Sequence, residues 1–435
     1  MLPPRAKHFL LLAAAALPGH ALSLHQAQEI LFQDNPDLSI QRLEIERSQE
    51  QLSEAKAAWL PSLDALGNYS YTTEVSHLKL NLGGANIDRA IGDHDKMELG
   101  VDASYALFTG FARSRNLDAK RAGVKAKEAQ WRGTRNQMSM RLAGLYYAWQ
   151  LAGSQAAYQE KVLHYSQELE KQLRDFVRAG TAVRSRALTM EARAKASEVD
   201  LLTSQNTRDS LAYEVLDFLG GREGNFPASP DVLARDTSAL PEPDWSRTDT
   251  AQTRRPEMEA LDQSIAQARS GSRALLGQRL PQLYGLAGFR YANPGLDLAG
   301  DAYMPYGLLG LQLRWNLFDG AKNGAQRRQL DVQARELQEQ KRKLDHEWNK
   351  AMLTSKLQFS RWSAQFEAAK ASRDAAEAAA ADIKRQFQAG VATELDWLEA
   401  ANNQARAEMM MEQARTMQRL ALLQWEYASG KELRF

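Results

Sequence analysis

Few residues in this 435-residue chain have the type and spacing that catalysis or metal binding requires. There is no cysteine, which excludes disulfides, thiolate metal sites and a catalytic thiol. The motifs of zinc proteases, phosphate-binding loops and serine hydrolases are absent from the sequence. The histidines are scattered: His8, His20, His25, His77, His94, His164 and His346. We therefore predict no enzymatic activity, no cofactor and no metal. The formal net charge of +1 gives no indication of nucleic-acid binding.

Charged residues that follow two glycines are the remaining candidates for a functional site. Asp396 and Glu399 come after Gly390, and their spacing places both carboxylates on one face of a helix. Gly180 is followed instead by basic residues, among them Arg186. On spacing alone, a solvated helix face explains the acidic pair.

The first 21 residues have the pattern of a secretory signal peptide. Arg5 and Lys7 precede an apolar run from Phe9 to Leu17, and small residues lead up to Ala21. The run is far shorter than the ~20 residues that a membrane-spanning helix needs, and no other stretch approaches that length. We expect cleavage after Ala21, and we expect any membrane insertion of the mature chain to use β-strands.

The remainder of the chain contains two copies of one pattern. Three features recur at an offset of 220 residues: Pro36 and Pro256, Pro61 and Pro281, Tyr71 and Tyr291. Further along the offset is 210: Phe108 and Phe318, Gly180 and Gly390, Gly220 and Gly430. We predict a first repeat at 22–220, a proline-containing linker at 221–255 and a second repeat at 256–435.

Each repeat has two segments in which apolar and polar residues alternate with a period of two. Met97, Leu99 and Val101 belong to the clearest such pattern, and Leu309 and Leu311 to its counterpart. Strands of about ten residues with aromatic residues near their ends are typical of a membrane barrel with a wet interior. A half-buried strand of a soluble sheet alternates too. The signal peptide and the aromatic residues favour the membrane, and residues 74–95 are expected to form a polar loop.

Long proline-free segments rich in helix-forming residues follow the strands. They cover about 112–178 and 321–388, and each could reach ~100 Å as one helix. Gly180 and Gly390 are expected to end them and to begin the turns of helical hairpins. Both segments begin with many basic residues, which fit either a solvated helix face or contact with anionic lipid head groups.

At this point the sequence resembles the TolC family of outer-membrane efflux proteins, over nearly all of the mature chain. The resemblance depends on the order and duplication of short motifs: Asn35-Pro36-Asp37-Leu38, Leu60-Pro61-Ser62, Leu107-Phe108-Thr109-Gly110, Leu317-Phe318-Asp319-Gly320, Phe387-Gln388-Ala389-Gly390 and Leu395-Asp396. It implies a mixed α and β fold, in which each chain of a homotrimer gives four strands to an outer-membrane β-barrel. The barrel would continue as a long periplasmic α-helical barrel. Its partners would be a periplasmic adaptor protein, an inner-membrane pump or ABC transporter, and outer-membrane lipid.

The resemblance also implies a periplasmic gate. Asp396 and Glu399 match two acidic residues of the family that project into the lumen at its narrow end. Phe387 and Ala392 replace a tyrosine and an arginine that hold the family's closed state, and Arg186 replaces an aspartate. We therefore expect that any ion pair at this gate runs from Arg186 to Asp396 or Glu399, or is absent.

Two functions remain open on the sequence. One is a passive exit duct of a tripartite efflux or type I secretion system in the Gram-negative outer membrane. The other is a periplasmic coiled-coil structural or adaptor protein, which would share the signal peptide and the long helices. The two alternating strand pairs favour the duct.

Overall fold

The computed structural model describes residues 22–83, 85–91, 94–221, 233–236, 240, 245, 255–293, 295–296 and 302–435. The signal peptide predicted at 1–21 and most of the linker predicted at 221–255 lie outside these residues.

The described part of the first copy contains four helices and four strands. In chain order they are α1 (Leu24–Asp34), α2 (Pro36–Ala57), β1 (Ser62–Tyr71), β2 (Ser76–Leu82), β3 (Ala85–Ile91), β4 (Asp95–Phe108), α3 (Ala112–Arg178) and α4 (Arg184–Phe218). The second copy contains α5 (Pro256–Gly277), β5 (Gln282–Asn293), β6 (Met304–Arg314), α6 (Lys322–Gln388) and α7 (Glu394–Ala428).

The helices of the two copies have equal lengths. α2 and α5 each have 22 residues, α3 and α6 each have 67, and α4 and α7 each have 35. Their first residues differ by 220 for α2 and α5, and by 210 for the other two pairs. The structural elements therefore recur at the same two offsets as the sequence motifs.

A bend at Asn35 separates α1 from α2. The Asn35 side-chain oxygen accepts hydrogen bonds from the backbone N–H groups of Asp37 (2.9 Å) and Leu38 (3.2 Å). Pro36 then occupies the first position of α2, where a missing N–H costs nothing. The Asn35 amide also donates to the Phe218 carbonyl (2.8 Å), which fixes the bend against the end of α4.

The four predicted strands form one antiparallel sheet in the order β1-β4-β5-β6. The loop prediction for residues 74–95 was incomplete, because β2 and β3 form a separate two-stranded hairpin within it. The strand β2 has the sequence SHLKLNL, whose leucines alternate with polar residues, so the signal for this hairpin was present.

Polar and apolar residues lie on opposite faces of the four-stranded sheet. On the polar face, Arg290 of β5 bridges two carboxylates of β4, with Nε 2.5 Å from Glu98 and Nη1 2.8 Å from Asp102. Gly100 and Gly288 leave space for the guanidinium group, since a β-carbon at either position would lie within 3.3 Å of its Nη1 atom. The central pairing β4–β5, which joins the two copies, is thus fixed by a charged cluster.

Basic residues at the start of α3 interact within the chain. Arg113 donates to the carbonyls of Ala58 (3.0 Å) and Ala106 (2.6 Å) and lies 4.4 Å from the ring centroid of Trp59. Lys127 forms an ion pair of 2.7 Å with Glu44. These two basic side chains are therefore engaged within the chain, and the two interpretations of the whole basic segment stay predictions.

The contacts divide the chain into two compact units that cut across the sequence copies. One unit comprises 1–42, 131–258 and 343–435, and the other comprises 43–130 and 259–342. The second unit contains the four-stranded sheet, and the first contains the helical hairpin turns. Each unit takes residues from both copies. Among the described helices, none has a long enough apolar stretch to span a membrane.

Residues 431–435 pack against the first copy within the first unit. The Gln28 side chain donates to the Leu433 carbonyl (2.8 Å) and accepts from the Phe435 N–H (3.1 Å). The Asn136 side chain likewise accepts from the Leu433 N–H (2.8 Å) and donates to the Lys431 carbonyl (3.1 Å). Two buried amides therefore replace the hydrogen bonds that a neighbouring strand would supply.

A short part of the linker is attached to the same unit. Asp236 accepts hydrogen bonds from Arg419 of α7 and from the Tyr147 hydroxyl of α3 (2.8 Å), and its ion pair with Arg419 measures 2.6 Å. Leu22 and Leu233 form a parallel bridge nearby. The linker is thus anchored to one long helix of each copy.

Candidate functional site at the helical hairpin turns

The two hairpin turns have the same backbone geometry. Gly180 and Gly390 have φ angles of +76° and +75°, in the left-handed region. After the first, Thr181 N–H donates to the Phe176 carbonyl (2.9 Å), and after the second, Val391 N–H donates to the Gln386 carbonyl (2.8 Å). Among the described residues, and apart from each glycine's chain neighbours, no atom lies within 4 Å of a β-carbon built at either glycine. Glycine is therefore required there by the backbone angle and not by lack of space.

A compact apolar cluster packs the two turns against each other. Trp397, which is 4% exposed, stacks on Phe387 with ring centroids 5.7 Å apart and contacts Tyr165 edge-on at 6.3 Å. The cluster draws residues from all four helices that meet at the turns: Leu169 and Leu173 of α3, Ala187 and Met190 of α4, Phe387 of α6, and Trp397 and Leu398 of α7. It holds the start of α7 against the end of α3.

The helix that follows the second turn begins with a capping box. Thr393 N–H donates to Asp396 Oδ2 (2.9 Å), and Asp396 N–H donates to Thr393 Oγ1 (3.2 Å). The hydrogen bond from the Thr393 hydroxyl, and then that from its backbone N–H, lower the pKa of the Asp396 carboxyl. α4, in contrast, has Val183 as its N-cap, which makes no side-chain hydrogen bond, and it has Arg184 and Arg186 in its first turn. The start of α7 is therefore the better stabilised of the two.

The described chain has one ion pair between the two turns, and it involves Arg186. Arg186 Nη1 lies 3.9 Å from Glu394 Oε1, and these side chains are 65% and 24% exposed. Neither Asp396 nor Glu399 pairs with Arg186 within the described chain. The reason for Asp396 is that its carboxylate is engaged by Thr393. A pair between neighbouring chains, or none at all, stays a prediction.

The structure also explains the role of two residues that depart from the family pattern. Phe387 is half-buried, and its ring is a stacking partner of Trp397 rather than a hydrogen-bonding group. Ala392 lies in the turn itself, where its N–H donates to the Gln386 carbonyl (3.3 Å). The side chains of Phe387 and Ala392 have no hydrogen-bonding group, so they cannot form the contacts by which a tyrosine and an arginine hold the family's closed state.

Sequence reasoning missed two residues that shape this site, Thr393 and Trp397, and it missed the contact of Glu394 with Arg186. The first could have been found, because a threonine three residues before an acidic residue is the pattern of a capping box. The Glu394 contact and the burial of Trp397 depend on how the two turns pack, which no local pattern reports. In the described parts of the chain, no group of three or more histidine, aspartate or glutamate side chains could hold a metal ion.

Comparison with known proteins gives one family match and several structural matches. The model of the family described as "Outer membrane efflux protein" matches residues 28–221 and 248–431. The outer-membrane channel CmeC of Campylobacter jejuni aligns with a TM-score of 0.77 at 14% identity, over 94% of this chain and 86% of CmeC. The outer-membrane protein VceC of Vibrio cholerae aligns with a TM-score of 0.72 at 18% identity, over 94% of this chain and 96% of VceC.

A membrane protein of Pseudomonas aeruginosa is similar to the same extent, with a TM-score of 0.75 at 15% identity over 94% of this chain and 91% of that one. No curated protein sequence matches the chain. At these identities the structural matches establish the fold.

Proposed function

Because the chain belongs to the outer membrane efflux protein family, we propose that it forms the exit duct of a tripartite efflux or type I secretion system. It is a Gram-negative outer-membrane protein that extends into the periplasm, in a family of transport channels rather than enzymes. The observation that carries the proposal is the combination of a sheet with an exposed apolar face and two long helical hairpins in one duplicated chain.

We propose that three copies close the sheet into a twelve-stranded barrel. The sheet has two open edges, β1 and β6, and each unpaired backbone group costs several kcal/mol in hydrocarbon. Its exposed apolar residues would face the outer-membrane lipid, and the helices would continue as the periplasmic tunnel. Native mass measurement in detergent tests this directly. A stable, membrane-inserted monomer would contradict it.

The hairpin turns are the proposed docking site for a periplasmic adaptor, which in turn binds an inner-membrane pump or ABC transporter. They expose apolar side chains, with Val183 65%, Val391 76% and Leu395 53% exposed. Basic residues follow the first turn and acidic residues the second, so charges would alternate around the tunnel mouth. Cysteines introduced at 182 and 392 should be protected from a thiol reagent by the adaptor. Full labelling of both in the assembled system would locate the mouth elsewhere.

Asp396, Glu399 and Arg186 are the proposed gate residues. Threefold symmetry would turn the exposed carboxylates of Asp396 and Glu399 into two rings of negative charge, which favour cations. The ion pair of Arg186 with Glu394 is largely solvated and contributes about 0–1 kcal/mol per copy, so it biases the gate without locking it.

Single-channel conductance in planar bilayers tests the gate. Asp396→Asn combined with Glu399→Gln removes both charges but keeps an oxygen that can cap α7, and it should reduce cation preference. Arg186→Ala should raise the open conductance. Glu367→Gln, which removes an exposed carboxylate from α6, is the matched control and should leave selectivity unchanged. Unaltered ion selectivity in the double variant would mean that these two carboxylates do not line the constriction of the pore.

The alternative of a periplasmic coiled-coil adaptor explains the helices but not the sheet with its exposed leucines and tyrosines. Extraction separates the two functions. The duct should remain in outer membranes until detergent is added, whereas an adaptor without a membrane domain would be released by osmotic shock.

A further inference from the structure

We infer that the open edge of β6 pairs with β1 of a second copy of this chain in one defined register, with Gln312 opposite Asn68. The inference rests on the proposed function, because it assumes that copies associate through the open sheet edges. It adds which residues meet, and it follows from the internal repeat and the pairings already present in the chain.

The repeat offsets reproduce a pairing inside the chain, which justifies their use between chains. In the first copy Ser62 pairs with Ser104. Adding 220 to the first number and 210 to the second gives 282 and 314, and Gln282 does pair with Arg314 in the second copy. The two hairpins thus obey one register rule.

The same rule transfers the central pairing to the open edges. β4 of the first copy pairs with β5 of the second, for example Asp102 with Gly288. β6 is the counterpart of β4, and β1 is the counterpart of β5. Adding 210 to 102 and subtracting 220 from 288 gives 312 and 68. Gln312 should therefore face Asn68 of the neighbouring copy.

Apolar side chains on β6 and just after it are far more exposed than their counterparts on β4. Leu309 is 91% exposed, whereas its counterpart Leu99 in the centre of the sheet is 47% exposed. Phe318 is 87% exposed, against 40% for its counterpart Phe108. These residues lose about half of their exposure when a strand lies beside them. An apolar edge of this kind is a template for another strand.

The length of β6 gives a second, independent indication. β4 continues to Phe108, where it still pairs with Leu283 of β5. β6 ends at Arg314, four residues before the counterpart of Phe108. Within the described part of the chain, residues 315–318 have no partner strand, and the rule gives them residues 63–65 of the neighbour. Assembly should therefore extend β6 through Phe318.

The inferred register also supplies partners for two charged residues. Arg314 would lie opposite Leu66 of the neighbour, with Asp64 and Asn68 on the two diagonals. Within the chain, Arg290 lies opposite Gly100 and reaches both diagonal residues, Glu98 and Asp102. In the described chain, Asp64 makes no ion pair and lies opposite another carboxylate, Asp102. An ion pair from Arg314 would give Asp64 of the neighbour a cationic partner, as Arg290 gives one to Asp102.

Disulfide crosslinking tests the register in a chain that has no native cysteine. The pair Gln312→Cys with Asn68→Cys should give interchain disulfides, because directly opposed residues are about 4.5–5.5 Å apart. The shifted pairs Gln312→Cys with Leu66→Cys or Ser70→Cys should give little, since diagonal neighbours are about 7–8 Å apart. Ser70→Cys with Lys96→Cys, an opposed pair within the chain, is the folding control and should crosslink without joining chains.

The outcomes separate this inference from the proposed function. A stronger crosslink in a shifted pair would overturn the register and leave the assembly intact. Oligomers that form without interchain disulfides in any pair would overturn the pairing of β6 with β1. An unmodified chain that is monomeric in detergent would overturn the proposed function itself.

A double-mutant comparison checks the ion pair. Arg314→Gln and Asp64→Asn should each lower the temperature at which the oligomer dissociates in detergent, and the double variant should lose no more than the larger single effect. Additive losses would contradict contact between the two side chains.

Discussion

Replacing Trp397 by alanine should loosen both hairpin turns while leaving the rest of the chain folded. The indole is 4% exposed and is the common contact of Phe387 and Tyr165. Truncating a buried tryptophan costs about 3–5 kcal/mol. Part of this is the aromatic contact, about 0.5–1.5 kcal/mol per pair. Trp397→Phe keeps a ring in the cluster and should lose less than half as much.

Hydrogen exchange measured by mass spectrometry gives the local readout. A loss of 3 kcal/mol corresponds to an increase of about a hundredfold in the exchange rate of amides that open locally. Peptides that cover the turns at 176–190 and 386–398 should show it. Peptides from the separate core around Tyr146 and Leu142, which belongs to another cluster, serve as the internal reference.

Two results would refute this reasoning. Unchanged exchange at both turns would mean that Trp397 contributes no packing energy there. An equal increase in the reference peptides would mean that the turns do not open independently of the unit. If the turns do loosen, the carboxylates of Asp396 and Glu399 lose their fixed positions, and the cation preference proposed for the gate should weaken with them.

Four further changes probe the same region. Leu398→Ala should lower the free energy of unfolding by about 2–5 kcal/mol, because Leu398 is only 5% exposed. Leu188 occupies the matching position of the first copy and is 52% exposed, so Leu188→Ala should cost far less in parallel thermal melts. Gly390→Ala should cost about 1–2 kcal/mol through its positive φ, and Gly390→Asn should cost less, as thermal melts can establish. Thr393→Ala should cost about 1 kcal/mol and speed exchange at the start of α7. The lowered pKa of Asp396 means that its ionised carboxylate stabilises the turn. This stabilisation is complete above the ordinary pKa of 3.8 and is lost as the pH falls through the lowered pKa of the folded chain. Amide exchange at the turn, corrected for its intrinsic rate, should therefore rise in acid, and Asp396→Asn should abolish that rise.

Patterns that are local in sequence predicted most of the architecture. Period-two alternation located β1, β4, β5 and β6, and glycines at 180 and 390 marked both turns, because each feature is determined by a few neighbouring residues. The hairpin β2–β3 was missed even though its alternation is visible, since polar composition was taken as the sign of a loop. The family match supports the outer-membrane channel that the repeated motifs indicated.

The details of the candidate site could not be predicted in the same way. The sequence identified Asp396 only as a charged residue beside Glu399. The structure shows that the Asp396 carboxylate also caps α7, and this difference between the two residues is visible only in the geometry. The partner of Arg186 depends on how two turns 210 residues apart pack together. Packing between distant segments leaves no periodic signal in either of them.

The attachment of residues 431–435 determines the order in which this polypeptide can fold. Gln28 and Leu433 are 405 residues apart in the chain, and Gln28 and Phe435 are 407 apart. Contacts across such separations form late, because the ends must meet before any stabilisation is gained. Gln28 and Asn136 are therefore synthesised early and remain without these hydrogen-bond partners until residues 431–435 follow. The first copy therefore completes this part of its packing only after residues 431–435 have been synthesised.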